Sequence, residues 1–82
     1  MIYVDKMRKH QSGMWCHMMT DGALEELHDF AEKIGVKRYR YHKKSSPHYD
    51  LREHQRIEAI KNGAVEADNR KIVELIRLWK VK

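Results

Sequence analysis

Histidine and aspartate are the residues of this sequence most able to do chemistry. Six of the 82 residues are histidines, and imidazole together with carboxylate suits divalent ions such as Zn²⁺, Mn²⁺ or Fe²⁺. The residues that could hold such an ion are His17, His48 and Asp50, with Asp5 as an alternative carboxylate. No H-x-x-x-H or C-x-x-C spacing supports the site, and Asp50 could instead cap a helix. A metal site is therefore predicted only if the fold brings these residues together.

A second cluster is basic and aromatic. Residues 37–44 contain five Lys or Arg, two tyrosines and His42, a composition typical of segments that contact phosphates and stack on bases. Arg38, Arg40 and His42 would then bind the ligand. The alternative is a charged edge strand that prevents sheets from pairing, with the two tyrosines in the core.

The overall composition limits the class of protein. The chain fits one domain, residues 1–82, and its net charge of +5 favours phosphate-bearing partners, although it also keeps a small protein soluble. Cys16 is the only cysteine, which excludes an internal disulfide and fits a reducing cytosol. No apolar run approaches the roughly 20 residues that cross a bilayer, and no secretory signal is evident. We expect a cytoplasmic protein without a membrane role, which a homo-oligomer could help to stabilise.

The positioning elements follow from hydrophobic periodicity and capping residues. The apolar stripe from Leu24 to Ile34 predicts a helix, with Thr20 or Asp21 as its N-cap and Gly35 just past its end. The last helix is predicted to be capped by Asp68, with Lys80 and Lys82 near its negative end. We predict strands over 2–4, 36–41 and 64–67, helices over 21–34, 50–62 and from residue 68 onward, and long loops over 6–19 and 42–48.

This βαβαβα order predicts a miniature three-layer α/β fold. Strands separated by helices form parallel sheets, and the strand order 2-1-3 places one crossover helix on each face of a three-stranded sheet. Ligands bind such sheets beyond the carboxyl ends of the strands. One rim should therefore gather seven side chains: Asp5, His10, His17, His42, His48, Asp50 and Asp68.

Five motifs extend over nearly the whole chain. They are Tyr3-Val4-Asp5, Trp15-x-His17, Asp21 with Glu26-Leu27-His28-x-Phe30-Ala31 and Gly35, His48-Tyr49-Asp50, and Arg56-x-x-Ala59-x-x-x-Gly63-Ala64. Together they resemble the small bacterial and phage proteins catalogued as domain of unknown function 4031. The resemblance implies a cytosolic bacterial or phage protein, and its motifs place Trp15, His28, Tyr49 and Arg56 among the candidate ligand-binding residues. The family carries no established activity to transfer.

Three functions stay open from the sequence. The first is a module that binds a phosphate-bearing ligand, a nucleotide or a nucleic acid, at the rim rich in histidine and aspartate. The second is a small metal-dependent phosphoester hydrolase or nuclease, in which an ion held near His17, His48 and Asp50 activates water. The third is a phage interaction or inhibitor module that binds a host protein through a basic face.

Overall fold

The computed structural model describes residues 1–43 and 46–80. Within these residues the chain forms three α-helices, a short 3₁₀ helix and a mixed sheet of six strands. The strands are β1 (Ile2–Val4), β2 (Arg8–His10), β3 (Gly13–Thr20), β4 (Tyr41–His42), β5 (His48–Leu51) and β6 (Val65–Glu66). The α-helices are α1 (Leu24–Lys33), α2 (Glu53–Lys61) and α3 (Asn69–Lys80), and the 3₁₀ helix is Arg38–Arg40. None of these helices is both long and apolar enough to cross a membrane.

The sheet is mixed, and the predicted three-stranded parallel sheet of order 2-1-3 is wrong. Its strands run in the order β4-β5-β3-β1-β6, and β2 pairs with β3 as well. The parallel pair is β1 with β6, whereas β1–β3, β2–β3, β3–β5 and β4–β5 are antiparallel. The α/β class is confirmed, but the chain returns through hairpins rather than through helical crossovers alone.

The central difference is the segment 6–19, which is a β-hairpin rather than a loop. β2 and β3 pair antiparallel around Gly13, whose φ of +116° favours glycine. Strand β3 then crosses the middle of the sheet between β1 and β5. Its methionine, cysteine, tryptophan and histidine side chains show no clear polar–apolar alternation, which is the signal that predicts a strand.

Two other predicted elements are also corrected. Within the predicted strand 36–41, Arg38–Arg40 form the 3₁₀ helix, with the Arg40 N–H donating to the Lys37 carbonyl at 3.0 Å. Of these residues only Tyr41 enters the sheet, as the first residue of β4. The predicted loop over 42–48 ends in a strand, because β5 begins at His48. Helix α2 consequently starts at Glu53 rather than at residue 50. Lys44 and Ser45 of that loop, and Lys82 near the chain end, lie outside the described residues.

The capping predictions divide between confirmed and wrong. Gly35 has a φ of +79° directly after α1, as a C′ glycine requires. Asp68 caps α3, because its Oδ1 accepts the Lys71 backbone N–H at 2.9 Å. The N-cap of α1 is Ala23, however, and Asp21 binds the amino terminus at 2.9 Å.

Two apolar clusters occupy opposite faces of the sheet. Helices α1 and α2 cover one face, where Leu27 and Ala59 pack against Val4, Met18 and other residues of the sheet. Helix α3 covers part of the opposite face, where Leu75 packs with Tyr3 and Met19. The rest of this second face, over β3, β5 and β4, carries the candidate site.

Candidate metal centre

Strand register brings the histidines and Asp50 onto one face of the sheet. His17 on β3 pairs with Asp50 on β5, and His42 on β4 pairs with His48 on β5. Side chains alternate along a strand, and the neighbours Cys16, Met18, Tyr49 and Leu51 are buried in the cluster under α1 and α2. The four polar side chains therefore project from the other face.

An open cavity of about 500 Å³ lies on this face. Its lining residues come from the β2–β3 hairpin, β4 and β5, and they are His10, Ser12, Trp15, His17, His42, His48 and Asp50. The structure thus places together four of the histidines and the Asp50 expected at one rim. Asp5 lies directly behind them, bonded to His17. Asp68 lies apart, capping α3.

Three of the lining residues have the geometry of a metal site. One ligand atom from each of His17, His48 and Asp50 lies within 4.8 Å of the other two. The Nε2 atom of His48 is 3.5 Å from Oδ1 of Asp50. Two ligands of a tetrahedral ion at about 2.1 Å are roughly 3.4 Å apart. The His48–Asp50 pair already has nearly this separation, and the three donors could share one ion if the longer separations, which are at most 4.8 Å, contract.

Asp5 fixes the orientation of His17. Its Oδ2 atom is 2.9 Å from Nδ1 of His17, and its Oδ1 accepts the backbone N–H of the same residue at 2.6 Å. Burial raises the pKa of Asp5, but the hydrogen bonds from His17 outweigh it and hold the pKa below its usual value. The same hydrogen bond raises the pKa of His17 against the effect of burial. Because Nδ1 donates to a carboxylate, the lone pair of neutral His17 is on Nε2.

His48 is fixed in the same tautomer by the backbone. Its Nδ1 donates to the Ser46 carbonyl oxygen at 2.9 Å, and a carbonyl can only accept. Burial lowers the pKa of His48, so the ring is held neutral. Nε2 of His48 therefore carries a lone pair, which is the state that a metal ligand requires.

His42 completes the polar side of the cavity. Its Nε2 lies 2.9 Å from Oδ2 of Asp50, and its ring stacks on His48 with centroids 5.3 Å apart. The two carboxylate oxygens of Asp50 thus face different histidines, Oδ1 toward His48 and Oδ2 toward His42. This arrangement leaves Oδ1 directed to the candidate ion while His42 orients the carboxylate from outside.

Asp50 has no capping role in α2. It is the third residue of β5, and the N-cap of α2 is Arg52, whose backbone N–H donates to the Gln55 side chain at 2.8 Å. The alternative that Asp50 caps a helix is therefore wrong, because β5 extends to Leu51 before α2 begins.

Two arginines lie over Trp15, one of the residues that line the cavity. The guanidinium carbons of Arg52 and Arg40 lie 3.7 and 4.6 Å from the centroid of the Trp15 ring system. The indole N–H of Trp15 donates to the Ser12 hydroxyl at 2.9 Å. Tyr39, predicted as a possible core residue, is 72% exposed and lies near Arg40.

A second group of residues lies on the opposite face of the sheet from His17, His48 and Asp50, and it consists of His28, Tyr49 and Arg38. Nδ1 of His28 is 2.7 Å from the Tyr49 hydroxyl, and its ring meets Tyr41 edge-on at 4.7 Å. Together with Arg38 they border a separate cavity of about 310 Å³ beside α1. These three residues, predicted as ligand-binding, therefore do not share a cavity with His17 and His48.

Arg56 contacts the site through Asp5, the residue that holds His17. Its Nε donates to the backbone carbonyl of Asp5 at 2.8 Å, and its Nη2 pairs with Glu66 at 2.9 Å. The side chain thus ties α2 to Asp5, which follows β1, and to Glu66 of β6. This contact helps hold Asp5 against His17.

Sequence reasoning did not single out Arg52, Ser12, Ser46 or Arg8. Arg52 directly follows β5, and the register that pairs Cys16 with Leu51 places it beside Trp15. Arg8 pairs with Trp15 across β2 and β3, and its guanidinium bonds to Asn69 at the start of α3. Only the β2–β3 hairpin and β5 reveal these neighbours, and neither was predicted.

Comparison with known proteins yields a family and no individual relative. No curated protein and no solved structure matches the chain. A family model described as "Protein of unknown function (DUF4031)" matches residues 2–78, which is nearly all of the 82 residues. The resemblance of the five motifs is thereby confirmed, and the chain belongs to the DUF4031 family.

Proposed function

We propose that this protein is a metal-dependent phosphoester hydrolase whose ion is held by His17, His48 and Asp50. The carrying observation is that the three donors lie within 4.8 Å of one another while both imidazoles have Nδ1 occupied. Metal-binding histidines usually have the ring nitrogen away from the ion held by a carboxylate or a backbone carbonyl, which fixes the tautomer. Two histidines that merely lie side by side on a protein surface need no carboxylate or carbonyl to hold their second ring nitrogens.

Three protein ligands leave room for water on the ion. A Zn²⁺ ion held by these residues with an open position would lower the pKa of its bound water to about 7 and would supply hydroxide at neutral pH. This chain's own residues would hold the ion, and the cavity walls would orient the substrate. In hydrolysis the water oxygen bonds to phosphorus, the bond from phosphorus to the leaving oxygen breaks, and the leaving oxygen takes up a proton.

The positive surroundings favour a phosphoester over a neutral substrate. The net charge is +5, and Arg40 and Arg52 lie over the ring of Trp15, which lines the cavity. Guanidinium groups bind phosphate oxygens through paired N–H donors. The proposal includes a cytoplasmic location for a bacterial or phage-encoded protein. It is supported by the free thiol of Cys16 and by the resemblance of the motifs.

Metal binding is tested by calorimetry and by metal analysis of the purified protein. We expect one Zn²⁺ or Mn²⁺ per chain and a rise in Tm on adding the ion, because a ligand that binds only the folded state stabilises it by mass action. His17→Ala, His48→Ala and Asp50→Asn should each remove the rise. His54→Ala is the matched control, since His54 is exposed on α2.

Hydrolysis is tested with a chromogenic phosphodiester, bis(p-nitrophenyl) phosphate. Activity should require the added ion, disappear with EDTA, and be lost in the three ligand variants while His54→Ala retains it. A wild-type protein that binds no divalent ion, with an unchanged Tm, would refute the proposal.

A non-catalytic phosphate-binding module is the second candidate. It is favoured by Arg40, whose Nη1 is buried and has no hydrogen-bond partner among the described residues, a state that an anionic ligand would relieve. This function predicts phosphate binding that persists in EDTA, with no turnover when the ion is present. The same chromogenic assay therefore separates it from hydrolysis.

A further inference from the structure

Two arginines lie over the ring of Trp15, which lines the same cavity as His17, His48 and Asp50. The Arg52 guanidinium carbon is 3.7 Å from the Trp15 centroid and that of Arg40 is 4.6 Å away. Stacking on an aromatic face fixes the plane of a guanidinium and leaves its in-plane N–H donors free. Within residues 1–43 and 46–80, no carboxylate forms an ion pair with either arginine.

We infer that Arg40 and Arg52, stacked on Trp15, hold the phosphate backbone of a single-stranded nucleic acid that the centre acts upon. This inference rests on the proposed function and specifies its substrate class. The paired N–H donors of a guanidinium match the oxygens of a phosphate. Unpaired arginines fixed beside a candidate metal centre are positioned for that role.

Recognition at Trp15 is of phosphate rather than of base. An indole that stacks on a nucleobase needs an open ring face, and here guanidinium groups lie over the ring. The ring edge is also engaged, since its N–H donates to Ser12. Binding should therefore depend little on base identity.

The distribution of cations indicates a chain of phosphates rather than one. Arg8 pairs with Trp15 from β2, but its guanidinium bonds to Asn69 on α3 instead of joining the other two arginines. Cationic side chains therefore lie on either side of Trp15 in the sheet, and a single small phosphate does not need both.

The shape of the cavity favours a single strand over a duplex. Its volume of about 500 Å³ falls within the usual range for small-ligand pockets, roughly 300 to 1,000 Å³. The residues that form its walls include His10 and Ser12 of the hairpin, and His42 and His48 of the strands. A flexible single strand can bend so that one of its phosphates lies between such walls. A duplex is rigid, so the phosphates on its outer surface cannot move into the cavity in this way.

The test measures binding of a fluorescent oligothymidylate by anisotropy, with EDTA present to prevent hydrolysis. Arg40→Gln and Arg52→Gln should each weaken binding by about tenfold, the loss expected for one charge-assisted hydrogen bond. Each should also flatten the log–log salt slope by about 0.7 for every phosphate that the variant no longer neutralises. Arg77→Gln is the matched control, because Arg77 is exposed in the last turn of α3, and it should change affinity less than twofold.

Further probes separate the alternatives. An oligoadenylate should bind about as tightly as the oligothymidylate, and a duplex of the same length should bind more weakly. Arg52→Lys retains the charge without the planar stack, so its affinity for the oligonucleotide should lie between those of wild type and Arg52→Gln. This intermediate affinity would show that the loss in Arg52→Gln does not come from a failure to fold. Equal binding by wild type and both glutamine variants, or tighter binding of the duplex, would overturn the inference.

Calorimetry with Zn²⁺ or Mn²⁺ on the same variants distinguishes this inference from the proposed function. If the arginine variants bind metal normally but bind the oligonucleotide about tenfold more weakly than wild type, the inference is supported. If they bind both normally, the substrate assignment fails and the metal centre stands. If wild type binds the oligonucleotide but no metal, the proposed function fails and Arg40 and Arg52 belong to a binding module.

Discussion

The buried carboxylate of Asp5 holds His17 by two hydrogen bonds, one to the ring and one to the backbone. Oδ2 lies 2.9 Å from Nδ1, and Oδ1 accepts the backbone N–H at 2.6 Å. Asp5 is only 3% exposed, and Arg56 holds its carbonyl oxygen from the other side. The ring of His17 therefore has a fixed position and a fixed tautomer before any ion arrives.

Asp5→Asn should weaken metal binding without removing a ligand. Loss of a carboxylate that holds a metal-binding histidine typically costs about 10- to 100-fold in affinity, because the imidazole becomes less basic and less well oriented. Calorimetric titration with Zn²⁺ or Mn²⁺ measures this change. Asp29→Asn, at an exposed position on α1, is the control and should bind as wild type does. Unchanged affinity in Asp5→Asn would show that Asp5 has no such role.

Cys16 should be unreactive in the folded protein. The residue is 1% exposed, and burial raises the pKa of its thiol to about 12, whereas the thiolate is the reactive form. Labelling with a thiol reagent near pH 8 should therefore proceed only as fast as the protein unfolds. Adding urea should speed labelling in step with the unfolded fraction. Rapid labelling without denaturant would contradict the burial of this side chain.

Leu51→Ala should destabilise the fold strongly. Leu51 is fully buried where β5 meets the cluster under α1 and α2, and such a truncation leaves a cavity that costs about 2 to 5 kcal/mol. Urea denaturation followed by circular dichroism measures the loss. Val73→Ala on α3, where Val73 is 46% exposed, should change the free energy of unfolding by less than about 0.5 kcal/mol. Comparable losses in both variants would argue against this core.

His28 should make stability depend on pH. Burial lowers the pKa of His28 below its unfolded value of 6.5, so the unfolded chain binds a proton that the folded chain does not. The contribution of His28 to stability is therefore present above about pH 6.5 and is lost as the pH falls from there through the lowered folded pKa. The measurement is urea unfolding of wild type and His28→Gln between about pH 5 and 8, with EDTA to exclude metal effects.

The advantage of wild type over His28→Gln should shrink as the pH falls, because the other histidines contribute equally to both proteins. Near neutral pH the variant should lose about 1 kcal/mol, the usual worth of one hydrogen bond such as that to Tyr49. If the advantage of wild type instead grew as the pH fell, folding would raise the pKa of His28 and not lower it.

The elements that the sequence alone determined are those with strong local signals. The apolar stripe of α1 follows the 3.6-residue period and ends at Gly35, whose positive φ almost any other residue resists. Asp68 caps α3 through a side chain only three residues from the amide that it accepts. The types of residue at the candidate centre, histidine and aspartate, could also be named from the sequence, because their metal chemistry belongs to the side chains themselves.

The tertiary structure decided which of those side chains meet. His17 and Asp50 are far apart in the chain and become neighbours because β3 and β5 pair in one register, and a shift of one residue would turn both to the other face. Tyr49 shares a motif with His48 and Asp50, yet strand alternation turns it away from these neighbours and toward His28 on α1. Pairing between distant strands depends on long-range packing rather than on local pattern, so the sequence could supply the donors of this site but not their arrangement.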